Sequence, residues 1–486
     1  MNLATIVEGH DADRPALVSR GRETTYGALR DQVAHMRGAL VARGVAPGDR
    51  VAILAANNWY FVSAYLAVLG VGAIAVPLNP QSPAAEVERE LAVTGVKLTL
   101  VGPSSREVAD DVDLTAVPGY EGDVDVADLL AADPAPLVDR SPDDVAVLLF
   151  TSGTAGAPRP AMLTHGNLSA NLDQILANPA RPDGVDDVAL AVLPLFHVFG
   201  LNALLALTLR VGGTVVLVER FDPHSTLAAV AEHGVTVLSG VPTMWAAWAG
   251  LPDAAADAFA SVRYAVSGAA PLDPATRRAV RSRFGLDLTE GYGLTEASPA
   301  VTSGLGHDAP DGSIGVPLPG VEVRLVDGEG EDALVGDPGE IWVRGPNVFP
   351  GYWEDPEATA GALTPDGWLR TGDTAVVDDA GFLCLVDRTK DVIIVSGFNV
   401  FPGEVEDVLA AHPAVEAAAV VGVPHPHSGE AVRAYVVVRE GCHVDEDALI
   451  DHAGRHLARY KCPSSVAFVD ELPHGLTGKL LRRALR

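Results

Sequence analysis

The sequence predicts an α/β protein in two parts: a large N-terminal domain of parallel sheets flanked by helices, carrying a small β-rich subdomain, and then a small α+β C-terminal domain. Three observations predict it. Residues 25–101 alternate between helix-patterned and strand-patterned runs, as parallel sheets covered on both faces require. From about Ser313 the runs shorten and alternate apolar with polar, as antiparallel hairpins do. After Lys390, three apolar strand runs interleave with two helical ones, enough for an independent unit. The boundary falls in the segment DRTKD, giving domains over 1–387 and 388–486.

Taken in order, TTYGALRDQVAHMRGALVARG predicts a helix capped at Thr25 and stopped by Gly44. VAILA reads as a buried strand, WYFVSAYLAVLG as a helix, AIAVPL as a strand, PAAEVERELAVTG as a helix and LTLVG as a strand. Residues 102–143 are rich in Asp, Pro and Ala with little periodicity, and read as a surface connection. Val145 to Phe150 has strand character, and an amphipathic helix pattern starts near His165. TVVLV at 214–218, TVLSGVPTM at 236–244, YAVSGAAPL at 264–272 and LTEGYGLTEAS at 288–298 read as strands ending in turns rich in Gly, Ser and Thr. In open parallel sheets, ligands bind at such strand ends. In the C-terminal part, EVEDVLAAH and DALIDHAGRHLARY read as helices.

A chain of 486 residues can bury a large core. Its formal charge of −30 argues against broad binding to nucleic acid or anionic lipid, so an anionic ligand needs a local site. Cys384, Cys442 and Cys462 are few, odd in number and not spaced for a metal, which points to a reducing, cytoplasmic compartment. The N-terminus lacks the basic region of a signal peptide. Two apolar stretches, 61–78 and 188–218, are interrupted by glycine, proline or polar residues, and no membrane span is expected. His452 and His456 stand four apart without a third ligand and read as a helix face; no G-x-S-x-G elbow occurs; GVGAIA and GEGEDA sit in the wrong context for a dinucleotide loop.

The segment LFTSGTAGAPRPAMLTHGNL, 149–168, is where the chemistry gathers. Its small residues let backbone N–H groups and hydroxyls crowd a phosphate. It is not a Walker loop, because no Gly-Lys-Ser/Thr closes it. TSGTAGAP, SGAAPL, GYGLTE, GEIWVRG, GYWEDPEAT, DGWLRTGD, DRTKDVIIVSGFNVFPGEVE and LTGKLLRR then follow in one order across nearly the whole chain. In this the sequence resembles the adenylate-forming (AMP-binding) superfamily of acyl-CoA synthetases, luciferases and peptide-synthetase adenylation domains, in its fatty acid–CoA ligase branch.

The resemblance implies a mobile C-terminal domain and a two-step reaction using ATP, Mg²⁺ and coenzyme A: a carboxylate is joined to AMP, and a thiol then displaces the AMP. It implies that Thr151, Ser152, Gly153, Thr154 and Gly156, with Arg159, hold phosphates, and that Tyr292 stacks on adenine beside Gly268, Ala269 and Ala270, with Glu290, Gly291 and Gly293 around it. Thr295 would meet the α-phosphate, Glu296 the magnesium ion, and Asp373 with Arg388 the ribose hydroxyls. Lys479 would bridge the substrate carboxylate and the α-phosphate, stabilising the charge of the transition state. Lys390 would be the hinge about which the small domain turns, bringing Gly397 and Phe398 to a pantetheine tunnel. The chain departs from the pattern where Pro158-Arg159-Pro160 replaces the usual Pro-Lys-Gly; arginine keeps the charge but is not equivalent to lysine.

For the acid, LPLFHVFGLNALLAL at 193–207 offers His197 between Phe196 and Phe199 where amino-acid-activating relatives carry an aspartate, and VPTMWAAW at 241–248 lacks the arginine of malonate-activating ones. An apolar monocarboxylic acid is expected, a medium- or long-chain fatty acid first and an aryl acid second, walled by His197, Phe199, Val241, Met244 and Trp245. The rival readings are a ligase loading a separate acyl carrier protein and a homologue that binds nucleotide or acyl groups without turnover. The sequence leaves monomer and homodimer equally open.

Overall fold

The computed structural model describes residues 1–112, 122–152, 158–181, 184, 186–388, 393–400, 402–472 and 485. Its largest sheet has 13 strands. One half is parallel: Pro15–Ser19, Thr214–Leu217, Val188–Ala191, Val237–Gly240, Tyr264–Ser267 and Thr289–Gly293 lie side by side. The other half, from Ala300–Ser303 to Glu322–Val326, is antiparallel, so the β-rich part read from the sequence continues the main sheet. A second sheet of six strands contains Arg50–Leu54, Ile74–Leu78, Leu98–Val101 and Val145–Ser152 in parallel, with Pro158–Thr164 antiparallel on its edge. The third sheet holds Ile393–Val395, Phe398–Val400, Gly429–Val438, Val415–His425 and Ser465–Phe468.

The elements follow from their residues. Thr25 caps the helix Tyr26–Ala42 by accepting from the Ala28 N–H at 3.2 Å. The helix Trp59–Gly70 is buried from Phe61 to Gly70, which is why its sequence is apolar on every face. Thr164 and Asn167 exchange side-chain and backbone bonds at the start of His165–Leu176, a reciprocal cap that fixes where the helix leaves the edge strand. Residues from Leu3 to Leu383 share one hydrophobic core, and residues from Ile393 to Val466 form another. Among the described residues no helix is long and apolar enough to cross a membrane.

Three sequence expectations are corrected. The stretch 102–143 is more than a connection: Asp123–Asp125 adds a strand beside Leu98–Val101, and the turn after it buries Val126 and Leu129. Two apolar residues in an Asp- and Ala-rich run are too few to show a period. The strand expected over 236–244 ends at Gly240; Pro242, with no N–H to contribute to a ladder, opens the helix Pro242–Gly250. The last helix stops at Gly454, and Arg459–Lys461 forms a separate short turn.

Candidate active site

The C-terminal ends of the parallel strands open into one cavity of about 400 Å³, within the range of small-molecule sites. Thr151, Phe199, Gly268 to Ala270, Glu290 to Glu296, Asp373, Gly397 and Phe398 all face it. Residues separated by up to 247 positions therefore meet, as the ordered motifs imply. Gly153, Thr154, Gly156, Lys390 and Lys479 lie outside the described residues; the Ser152 and Arg388 side chains do too, although Arg388 pairs with Asp373 across adjacent strands.

On the nucleotide side, Tyr292 donates its hydroxyl to Asp373 at 2.7 Å. Burial, and then the Asp373 charge, hold the Tyr292 phenol well above its ordinary pKa, so it remains a donor. The turn beneath it carries Ala269 at φ +67°, a left-handed conformation that a residue with a Cβ adopts at a cost. Glu290 braces that turn: it accepts from the Leu272 N–H at 3.2 Å and is ion-paired with Arg277. Its carboxylate is thus a support of the turn as well as part of the cavity wall. A Cβ on Gly268 would lie 3.0 Å from the Phe199 ring, so glycine there lets ring and turn meet.

On the phosphate side, Glu296 accepts from the Tyr352 hydroxyl at 2.7 Å. Arg159 pairs through Nε with Asp355 at 2.9 Å, and the Pro160 carbonyl accepts from the Trp353 N–H at 2.8 Å. Arg159 and Pro160 thus tie the exit of the phosphate loop to the segment GYWEDPEAT. Pro160 sits in an edge strand, where a missing N–H costs least.

On the acid side, the floor is formed by two neighbouring strands. Val237 and Ser239 alternate toward the cavity on one, Tyr264 and Val266 on the other, paired Val237↔Tyr264 and Ser239↔Val266. The opposite wall is the π-helix Phe199–Ala206 and its continuation, through Phe199, Ala203, Leu204, Leu207 and Thr208. His197 stands at its start and lowers to about 4 through burial, so it is neutral at neutral pH. The Phe199 N–H donates to His197 Nδ1 at 3.3 Å, which leaves the proton on Nε2. Met244 and Trp245, expected as tunnel wall, are core residues and do not line the cavity: Trp245 stands edge-on to Trp248, at 5.1 Å, and to Phe259. Val241 meets Gly397 instead. Sequence reasoning missed Tyr264 and Arg181, both in the cavity wall. The i, i+2 step from Tyr264 to Val266 was a usable signal; a lone arginine in a polar loop was not.

At the mouth, the small domain closes one side. The Phe398 ring stacks on Phe196 at 6.4 Å and on Tyr460 at 4.5 Å. Beside them Lys461 is buried between Glu86, with which it is ion-paired, and Glu404 at 3.1 Å; the Ala458 N–H donates to Glu86 at 2.8 Å.

Residues 4–353 match the family described as AMP-binding enzyme, and 404–479 its C-terminal domain. A feruloyl-CoA synthase of Amycolatopsis sp is 41% identical over 473 residues, 96% of this chain and 94% of that protein. A long-chain-fatty-acid–CoA ligase of Yersinia pestis is 35% identical over 98% of this chain and 92% of its own length. The structure of an o-succinylbenzoate CoA synthetase double mutant from Bacillus subtilis, bound with a product analogue, superposes with a TM-score of 0.88 at 31% identity, covering 99% of this chain and 97% of that one.

Proposed function

We propose, from the premise that this chain belongs to the AMP-binding enzyme family and is an AMP-forming acid–thiol ligase, that it activates an aromatic acid and passes the acyl group to free coenzyme A. The observation that carries this reading is the shape of the acid side: a slot between two strands and a π-helix, ending at Tyr264 and Arg181. Tyr264 lies four residues below Gly268, about 13 Å at ~3.3 Å per residue. A flat ring acid fits that depth, whereas a long saturated chain would run past its end. A feruloyl-CoA synthase at 41% identity supports the same reading. The fatty acid expected from the sequence is the second reading, favoured by the apolar wall of Leu204, Leu207 and Val237, and it applies to medium chains.

The acid's carboxylate oxygen attacks the α-phosphorus of ATP, and pyrophosphate leaves. The coenzyme A thiol, losing its proton, then attacks the acyl carbon and AMP leaves. Asp373 and Tyr292 hold the nucleoside; Thr151 and Thr295 offer hydroxyls to phosphate. Glu296 provides one hard carboxylate among hydroxyls, a donor set suited to a magnesium ion shared with phosphates. Such an ion neutralises phosphate charge. Lys479 neutralises the two anions that must touch, and rotation about Lys390 exchanges it for Gly397 between steps. Gly397 beside the cavity supports coenzyme A as acceptor.

Pyrophosphate release and acyl-CoA formation across a panel of aryl and alkyl acids test the reading. Release with aryl acids and a coenzyme A thioester as product are expected. Release without a thioester would transfer the role to an acyl carrier protein, and no release with any acid would leave a binding protein.

A further inference from the structure

We propose that Tyr264 selects the acid by its far end, accepting ring acids that carry an oxygen opposite the carboxylate. The inference rests on the aryl-acid reading above and adds a specificity-determining residue to it. Tyr264 opens the strand Tyr264–Ser267 on the cavity side, in register with Val237, at the end of the slot remote from the nucleotide groups. The other polar side chains around that end are engaged within the protein. Thr208 donates to the Leu204 carbonyl at 2.7 Å, Asn178 to the Leu305 carbonyl at 3.3 Å, and Arg181 meets Asp187 at 3.4 Å. The Tyr264 hydroxyl has no hydrogen-bond partner among the described residues, although the side chain lines the cavity.

A phenol in such a place loses water on burial and gains nothing in exchange unless a ligand supplies a partner. Burial raises its pKa to about 12, with Arg181 pulling the other way, so it stays a neutral donor at physiological pH. Arg181, in the same wall, has donors only. The matching ligand atom is therefore an acceptor: a phenolic, methoxy or keto oxygen. A hydrocarbon end would leave the Tyr264 hydroxyl unmet, and sites built to hydrogen-bond a substrate discriminate strongly against analogues lacking the group.

The test compares kcat/KM for pyrophosphate release with cinnamic acid and with its 4-hydroxy and 4-methoxy forms, in the parent and in Tyr264→Phe. The parent should favour the oxygenated acids by about 10- to 100-fold, and the variant should bring the ratio to within about threefold through a raised KM for the oxygenated acids. A parent ratio near one overturns the proposal without recourse to any variant, and so does a preference that survives in Tyr264→Phe. A stronger preference for a 4-carboxy acid, abolished in Arg181→Gln, overturns it in favour of an anionic far end. Activity confined to alkyl acids overturns it while leaving the ligase chemistry intact; no release with any acid removes the function reading itself.

Discussion

Adding one methyl group at Gly397 should separate the two half-reactions. The residue has φ +86°, and a Cβ built there would lie 2.5 Å from Val241 Cγ1, 3.0 Å from its Cβ and 3.2 Å from Cγ2. Val241 is β-branched and stiff, so it cannot swing aside as a long side chain would. Gly397→Ala therefore carries two costs. Backbone strain of about 1–2 kcal/mol accompanies the left-handed conformation wherever the hairpin goes, and so does not distinguish domain orientations. The clash acts only when the hairpin rests on Val241, and overpacking of this kind costs about 1–3 kcal/mol, a population shift of roughly 5- to 150-fold against the docked orientation. Thioester formation from preformed acyl-AMP and coenzyme A, measured in single turnover, should slow by that factor. Pyrophosphate release without coenzyme A should change by less than about threefold. Val241→Ala removes Cγ1 and Cγ2 and should recover most of the loss in the double variant. Equal slowing of both half-reactions, or no recovery with Val241→Ala, would refute the assignment of this contact to the thioester step.

Three further outcomes are expected. Lys479→Ala should lower acyl-AMP formation by about 10²- to 10³-fold, as loss of a transition-state charge partner does, and spare thioester formation from added acyl-AMP; rapid-quench assays of each step separate the two. His165 and His197 are both lowered to about 4 by burial, against about 6.5 unfolded. Between those values the unfolded chain binds protons that the folded chain refuses, so stability falls as pH drops from 6.5 toward 4; urea midpoints at pH 7 and 5 check the sign, and His165→Asn should flatten the slope. Lys461→Met leaves Glu86 and Glu404 buried without their cation, at a cost of about 3–5 kcal/mol to the docked arrangement; thioester formation should fall more than adenylation, and equal losses in both would contradict a role in docking.

The strands and helices of residues 25–101 were legible because each carries its own signal: Thr25 caps, Gly44 stops, and the apolar runs are long enough to show a period. The gathering of the nucleotide groups was legible for a different reason, since the motifs stand at strand ends that a parallel sheet aligns. What stayed hidden were relations between distant segments. Arg159 could be seen to replace a lysine, but not that Asp355 would meet it. Met244 and Trp245 could be seen to be apolar, and apolar residues wall a cavity or fill a core with equal ease; the aromatic cluster around Trp248 and Phe259 decided for the core. Glu86 was one of several acids on an amphipathic helix, and only its burial against Lys461, 375 positions away, sets it apart.

That buried cluster has a physical consequence for the proposed rotation. Glu86, Glu404 and Lys461 are each less than a tenth exposed, and Glu90 and Arg89 adjoin them. Burial, then the neighbouring Glu86, raises Glu90 to about 8, so near neutral pH it is largely protonated and the two remaining carboxylates face two cations. Burial opposes the Lys461 charge, but Tyr460, Glu404 and Glu86 outweigh it and keep the ammonium form. Charges so placed give up hydration on docking and recover it through their pairing, so the net gain is small even though the geometry is specific. A purely apolar seam would hold the small domain in one orientation. An ionic seam, with the Phe196–Phe398–Tyr460 stack beside it, fixes the register of the docked state and still releases it, because every group in the cluster regains water on leaving. A domain that must alternate between delivering Lys479 and delivering Gly397 needs a contact of this kind, precise in position and nearly neutral in free energy.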